Sequence, residues 1–111
     1  MKRPRIAVLG AAGAMGRITV RDLARSAPGR FRVLACAIAP EAIPRSRGVQ
    51  VQRVDVTRAA SLGRVLDGAD IVIASLPYRY NLQVMQGALA ARAHYIDLGG
   101  QRGQRIDTPF S

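Results

Sequence analysis

Three glycines near the N-terminus, Gly10, Gly13 and Gly16, have the spacing of a loop that binds phosphate. They follow a short apolar run and open a helical pattern, the context in which a G-x-x-G-x-x-G motif indicates dinucleotide binding. The first glycine permits a tight turn, the second lets the backbone approach a pyrophosphate, and the third lets the helix pack closely. Free N–H groups and the positive helix end would receive the phosphates. The alternative is a tight glycine turn with no ligand. The candidate cofactor-binding residues here are Gly10, Ala12, Gly13, Ala14, Met15 and Gly16.

The residues beyond this loop bear on which dinucleotide would bind. An acidic residue roughly 20 positions past the glycines would bind the ribose 2′-OH of NAD. Residues 35–39 contain no Asp or Glu, and the nearest acidic residue is Glu41. Arg45 and Arg47 follow in a predicted loop, where they are candidates to contact the 2′-phosphate of NADP. The pattern favours NADP over NAD, and the alternative is that both arginines are solvated loop charges.

An alternation of apolar runs and helical patterns must position these residues. We predict five strands and three helices, with a parallel sheet and right-handed crossovers. The expected fold is a Rossmann-type, doubly wound α/β domain with a mostly parallel sheet in the order 3-2-1-4-5 and helices on both faces. The predicted strands are Arg5–Gly10, Phe31–Ile38, Val49–Val56, Asp70–Pro77 and His94–Gly100. The predicted helices are Ala14–Ala27, Arg58–Leu66 and Asn81–Arg92.

Apolar spacing also predicts which helix faces are buried. Residues three to five positions apart lie on one face of a helix. The first helix is predicted to bury Met15, Ile18, Leu23 and Ala27, and the third helix Leu82, Met85, Leu89 and Ala93. Thr57 is the predicted N-cap of the second helix, because threonine is favoured at that position, and Gly68 is predicted to end that helix.

Composition narrows the classes of partner. The 111 residues carry a formal net charge of +10, but the arginines are scattered and aromatic residues make up 5%, so nucleic-acid binding is not expected as the main function. No apolar run has the roughly 20 residues of a membrane helix. The single cysteine, Cys36, excludes an internal disulfide, is predicted to be buried, and is consistent with a reducing, cytoplasmic setting. With one histidine and one cysteine, no metal site is expected.

The second half of the chain carries a family resemblance. Asp55–Thr57 follows the third predicted strand, and GADIVIASLPYRYNLQVMQGALAARAHYIDLGG spans Gly68–Gly100. Together with the glycine loop, these segments resemble the cofactor-binding domain of the saccharopine dehydrogenase-like family. The resemblance runs from Ile6 to Gly100. Its most specific parts are Leu76-Pro77 followed by Asn81, and the segment His94–Gly100.

The resemblance implies further cofactor contacts. Asp55 and Val56 would border the adenine, and Ser75, Leu76 and Pro77 would lie beside the nicotinamide half. Tyr78 is a weak catalytic candidate; together with Asn81 it would face the nicotinamide or the substrate. The alternative for both residues is helix-start chemistry and packing.

The resemblance also implies an activity. Members of the family are NAD(P)-dependent oxidoreductases that transfer a hydride to or from amino acids and their imine adducts. Many carry an acidic residue where this chain has Ala37, so the cofactor preference does not carry over. Members continue into a second, substrate-binding domain, so residues 1–111 are expected to be the cofactor domain, which binds cofactor without turnover. Apolar surface at the ends of strands four and five would then suit a homodimer.

Two other functions fit part of the sequence. The start of the chain, AVLGAAGAMGR, also resembles dihydrodipicolinate reductase, whereas the second half does not. A non-catalytic nucleotide-binding or redox-sensing module would use the same glycine loop.

Overall fold

The computed structural model describes residues 3–26 and 29–98, which form one five-stranded parallel sheet with helices on both faces. The strand order is β3-β2-β1-β4-β5, and every neighbouring pair is parallel, which confirms the predicted topology. The strands are β1 (Arg5–Leu9), β2 (Arg32–Ala37), β3 (Val49–Arg53), β4 (Ile71–Ala74) and β5 (His94–Asp97). The helices are α1 (Ala14–Ser26), α2 (Ala59–Leu66) and α3 (Asn81–Ala90), with 3₁₀ turns at Pro40–Ala42 and Tyr78–Tyr80.

Two hydrophobic cores lie on opposite faces of the sheet, because successive side chains of a strand point to opposite faces. In β1, Ala7 and Leu9 join the core that includes residues of α2 and α3, whereas Ile6 and Val8 join the core that includes Val20 of α1. Both faces of the central strand are therefore covered, which explains why β1 is an uninterrupted apolar run.

The strands end earlier than the apolar runs predict. Strand β3 ends at Arg53 rather than Val56, and β4 ends at Ala74 rather than Pro77. The extra residues continue into the connecting turns: Ser75 N still donates to Leu9 O at 3.0 Å before the chain bends. Of the predicted fifth strand, Gly99 and Gly100 lie outside the described residues.

The predicted buried face of α1 is wrong at Met15 and Ile18, whereas Leu23 is partly buried and packs against the core, as predicted. Met15 and Ile18 are 51% and 42% exposed, whereas Gly16 and Val20 are buried. The helix packs on the side where Gly16 brings its backbone against the glycine loop, and this close approach outweighs the larger apolar side chains. Ala27 lies outside the described residues.

The predicted face of α3 is wrong at three of its four residues for the same physical reason; the fourth, Ala93, lies beyond the helix end and packs against the core. Leu82, Met85 and Leu89 are exposed, and Val84 and Ala88 are buried. Small residues let α3 approach its neighbour: a Cβ atom built at Gly87 would lie 3.0 Å from Leu66 Cδ1 and 3.1 Å from Leu62 Cδ2 of α2. Tyr78 and Ile96 are also exposed, so apolar side chains do lie on the surface beyond β4 and in β5.

Thr57 is not the N-cap of α2. Arg58 occupies the N-cap position and no side chain caps the helix there. The Thr57 hydroxyl instead donates to Asp55 Oδ1 at 2.6 Å, so the residue stabilises the turn that precedes the helix. Gly68, predicted to end α2, lies just beyond it with φ +81°. No helix among the described residues is long and apolar enough to cross a membrane.

Cys36 lies near the carboxyl end of β2 and is fully buried, as predicted. Desolvation by burial raises the pKa of its thiol to about 12. The reactive form of cysteine is the thiolate. We therefore expect no reaction of the native protein with Ellman's reagent at mildly alkaline pH, and stoichiometric reaction in concentrated guanidinium chloride. Rapid labelling of the native protein would contradict this buried position.

Candidate cofactor site

The loop between β1 and α1 is held against the two strands that flank β1. Gly10 N and Ala11 N both donate to Cys36 O of β2, each at 3.0 Å. Gly10 has φ +78°, a left-handed conformation that strongly favours glycine. A Cβ atom at Gly10 would overlap the carbonyl oxygen of Ser75 and lie 2.9 Å from its carbonyl carbon. The fold therefore requires glycine here, because the loop meets the end of β4 backbone to backbone.

Gly16 is required by packing in the same way. A Cβ atom at Gly16 would overlap the carbonyl oxygen of Gly10 and lie 2.8 Å from Ala11 Cα. The first turn of α1 therefore rests directly on the loop that precedes it. This contact fixes the direction in which the N-terminus of the helix points.

Gly13 differs from the other two glycines because the protein itself leaves space beside it. Its only neighbour among the described residues within 4 Å of a built Cβ atom is Gly10 O, at an ordinary contact distance of 3.5 Å. Gly13 is exposed and its φ is not left-handed. Neither packing nor backbone conformation accounts for glycine at this position, so the space beside Gly13 is available to a ligand.

Backbone donors open onto the same space. The first N–H groups of a helix have no partner within the helix. Within residues 3–26 and 29–98, no oxygen accepts a hydrogen bond from the N–H of Ala14, Met15 or Gly16. Such N–H groups, together with the positive end of the helix dipole, attract an anion such as a phosphate.

The Arg17 side chain stabilises the glycine loop through hydrogen bonds. Its Nε donates to Ala12 O at 2.9 Å and its Nη2 to Ala42 O at 3.3 Å, so one guanidinium joins the glycine loop to the β2–β3 connection. The sequence places a positive charge in the first turn of α1. The contact with Ala42 could not be predicted from the sequence, because it depends on how the β2–β3 connection folds back.

Arg45 lies beside α1 in the connection between β2 and β3. It lines a groove of about 490 Å³ that runs along the helix from Ala14 to Arg25 and also includes Arg17. Arg47, in the same β2–β3 connection, is exposed. The structure thus places one of the two predicted arginines in a groove that begins at Ala14, the first residue of α1.

Ser75, Leu76 and Pro77 follow β4 and are partly buried. The close approach of Gly10 to Ser75 places this segment against the glycine loop, so the structure brings these two groups of predicted residues together. Tyr78 begins the next turn and is 58% exposed.

Asn81 and Asp97 form a contact that the sequence did not predict. Asn81 Nδ2 donates to Asp97 Oδ2 at 2.6 Å, which joins the start of α3 to the end of β5. Nearby in β5, burial raises the pKa of the Tyr95 hydroxyl to about 12, and the charge of Asp97 adds to this shift. The sequence shows only that an amide, Asn81, and a carboxylate, Asp97, lie in the two segments that carry the family resemblance; it does not show that they meet.

Asp55 and Val56 follow β3, which β2 separates from β1. The Thr57 hydroxyl and backbone N–H both donate to Asp55 Oδ1, and these bonds lower the pKa of the Asp55 carboxyl. Asp55 N in turn donates to Ser61 Oγ at 2.9 Å. Val56 packs against the core that includes α2 and α3. Asp55 thus has a clear local role in its turn, and its predicted place beside an adenine stays a prediction.

Fold and site together define a Rossmann domain with a glycine loop at the carboxyl end of its central strand. Known structures share this fold. A Rossmann-fold NAD(P)-binding family protein from Shigella flexneri superposes with a TM-score of 0.75 at 23% identity, over 85% of this chain and 50% of that one. Saccharopine dehydrogenase (L-Glu forming) from Saccharomyces cerevisiae gives a TM-score of 0.68 at 20% identity, over 85% of this chain and 21% of that one. Uronate dehydrogenase from Agrobacterium tumefaciens, in complex with NAD, gives a TM-score of 0.67 at 18% identity, over 86% of this chain and 40% of that one.

The family model for the saccharopine dehydrogenase NADP binding domain matches residues 6–107. The chain belongs to this family, and its fold is that of the family's NAD(P)-binding Rossmann domain. The chain spans about half the length of structures that it resembles: it covers 50% of the Shigella flexneri protein and 47% and 54% of two others with similar TM-scores.

Proposed function

We propose that the glycine loop and the end of β4 bind NADP, in preference to NAD, within an oxidoreductase of the saccharopine dehydrogenase type. The bound nicotinamide supplies a hydride donor or acceptor at its C4 atom. The substrate we propose is an amino acid or its imine adduct, the class typical of the family. The buried free thiol of Cys36 fits a reducing compartment, and the cytoplasm is the location we propose.

The observation that carries this proposal is the space beside Gly13. Gly10 and Gly16 are explained by backbone contacts inside the domain, whereas a side chain at Gly13 would meet only Gly10 O, at 3.5 Å. A pyrophosphate that approaches the backbone needs this space. The N–H groups of Ala14 and Met15 open onto it and supply donors that the protein leaves without an acceptor among the described residues.

The proposed position of the nicotinamide half follows from the sheet. Ligands of open α/β sheets lie beyond the carboxyl ends of the strands, where the strand order reverses. Here the strand order reverses between β1 and β4, so that point lies between Gly10 and Ser75, at the carboxyl ends of these two strands. A dinucleotide held at the glycine loop would thus have its adenosine half towards β2 and its nicotinamide half towards Ser75–Pro77.

The preference for NADP rests on charge. Residues 35–39, at the end of β2, contain no carboxylate that would bind a ribose 2′-OH. Arg17 and Arg45 line one groove beside Ala14 instead. Guanidinium groups bind phosphate through charge-assisted hydrogen bonds, which are stronger than neutral ones.

Calorimetric titration of the chain with NADPH and NADH tests the proposal. We expect one saturable site and, from the additional charge-assisted hydrogen bonds, an affinity for NADPH about tenfold higher than for NADH. An Arg45→Ala variant should lose this preference while its affinity for NADH stays the same. An Arg64→Ala variant is the matched control, because it removes the same charge from an exposed position in α2.

The two parts of the proposal fail separately. If neither dinucleotide binds to the folded chain, the cofactor site itself is wrong. If both bind equally, and Arg45→Ala and Arg64→Ala behave alike, the site stands but Arg45 does not select NADP. The same comparison for Arg47→Ala tests the second predicted arginine.

A further inference from the structure

One hydrogen bond joins the start of α3 to the end of β5, and the proposed cofactor site does not account for it. Asn81 Nδ2 donates to Asp97 Oδ2 at 2.6 Å, across 16 residues of sequence. Hydrogen bonds in which one partner is ionised are short and about twice as strong as neutral ones. This contact is therefore a firm link between two elements that meet at the carboxyl edge of the sheet.

The link holds one end of a short segment whose other end is bonded to β1. Residues 75–80 connect β4 to α3, and at their start Ser75 N donates to Leu9 O at 3.0 Å while Ser75 O adjoins Gly10. Within the segment, Tyr80 N donates to Pro77 O at 2.9 Å. The next residue is Asn81. The segment is thus tethered to β1 at one end and to β5 at the other.

Two polar atoms beside this link have no partner from the described part of the protein. Asn81 Oδ1 and Tyr95 OH are both buried, and neither has a hydrogen-bond partner within the described ranges. A buried polar atom without a partner costs about 1–3 kcal/mol. Buried polar groups in folded proteins are nearly always hydrogen-bonded, so these two atoms are available to a water molecule or a ligand.

We propose that Asn81 is a positioning residue for the nicotinamide half of the cofactor. Through Asp97 it holds residues 75–80 in place, so that Ser75, Leu76 and Pro77 form a fixed wall beside the glycine loop. This inference rests on the proposed dinucleotide site and adds a residue to it. It concerns the nicotinamide side alone, because the adenosine side is formed by the glycine loop, Arg17 and Arg45.

The test compares a whole cofactor with its adenosine half. NADPH and 2′,5′-ADP are titrated into the wild type, into Asn81→Asp, and into the double variant Asn81→Asp/Asp97→Asn. Asn81→Asp changes one amide to a carboxylate of nearly equal size and places two negative charges together. The double variant exchanges the two groups, so that an amide at position 97 can donate to a carboxylate at position 81.

For Asn81→Asp we expect about tenfold weaker binding of NADPH, as for the loss of a charge-assisted hydrogen bond. Binding of 2′,5′-ADP should stay within about twofold of the wild type, and it shows in the same sample that the domain is folded. The double variant should recover most of the NADPH affinity, because the pair acts as a unit. The single variant Asp97→Asn, which keeps a neutral amide–amide hydrogen bond, should lose less than Asn81→Asp.

Three results would overturn the inference. The first is an affinity of Asn81→Asp for NADPH equal to that of the wild type, and the second is an equal loss of affinity for both ligands. The third is an exchanged pair that does not restore NADPH binding although its thermal unfolding midpoint equals that of the wild type. A wild type that binds neither ligand would instead reject the proposed cofactor site, so the two failures are distinguishable.

Discussion

Replacing Gly16 with alanine is expected to destabilise the domain by about 3 kcal/mol, the upper part of the range for an overpacked site. The added Cβ atom would overlap Gly10 O and lie 2.8 Å from Ala11 Cα. Both neighbours are backbone atoms, and the N–H groups of Gly10 and Ala11 are bonded to Cys36 O. The loop cannot move aside without breaking its link to β2, so α1 must shift instead.

Gly63→Ala is the matched control, since it makes the same change inside another helix. Nothing lies within 4 Å of a Cβ atom built at Gly63 in α2. Alanine has the higher helix propensity, so this variant should be more stable than the wild type by about 0.5–1 kcal/mol. Equilibrium unfolding in urea measures both changes. Similar values for Gly16→Ala and Gly63→Ala would show that α1 does not rest on the loop as the structure has it.

The sheet was largely predictable because its signal is local. The strands β1, β2 and β4 are short apolar runs, β3 alternates valine with glutamine, and the alternation of strands with helical stretches implies a parallel sheet. The strand ends were less predictable, because Val54–Val56 and Ser75–Pro77 contain apolar side chains but lie beyond the last residues of β3 and β4. A sequence pattern shows which residues are apolar, whereas the end of a strand depends on where the neighbouring strand stops.

The helix faces show where pattern fails. In α1 and α3 the largest apolar side chains, Met15 and Leu89 among them, lie on the surface. Close contact at Gly16 and Gly87 decides which side packs, because a glycine lets backbones approach where a larger residue would hold them apart. A hydrophobic pattern gives no weight to glycine, so it selects exposed residues in α1 and α3, whereas in α2 the apolar residues Leu62, Val65 and Leu66 are the buried ones.

In the candidate site, too, local features were predictable and long-range contacts were not. The glycine loop and Leu76-Pro77 could be predicted because each is a motif of contiguous residues. The roles of Arg17 and of the Asn81–Asp97 pair were not, because each depends on partners 16 or more residues away, such as Ala42 O for Arg17. Contacts of this kind follow only from the folded chain.

The three glycines of the motif look equivalent in the sequence, and the structure separates them. Gly10 and Gly16 are needed by the fold whether or not a ligand binds, so a turn without a ligand would explain them equally well. Gly13 is the one position at which the two hypotheses differ. A substitution there tests function with little effect on folding, whereas substitutions at the other two would confound them.

Gly13→Asp is therefore expected to abolish measurable dinucleotide binding, with an affinity loss of more than about 100-fold, while leaving the unfolding midpoint close to that of the wild type. A carboxylate about 4 Å from a phosphate charge opposes binding by about 4 kcal/mol at a protein surface, and the side chain also fills the space that the pyrophosphate needs. Gly63→Asp introduces the same charge on exposed α2 and should bind NADPH as the wild type does. Calorimetric titration of both variants, beside urea unfolding, separates the outcomes. If Gly13→Asp still binds NADPH, the phosphates do not lie at this loop; if it unfolds, Gly13 is held by packing that the open space beside it does not suggest.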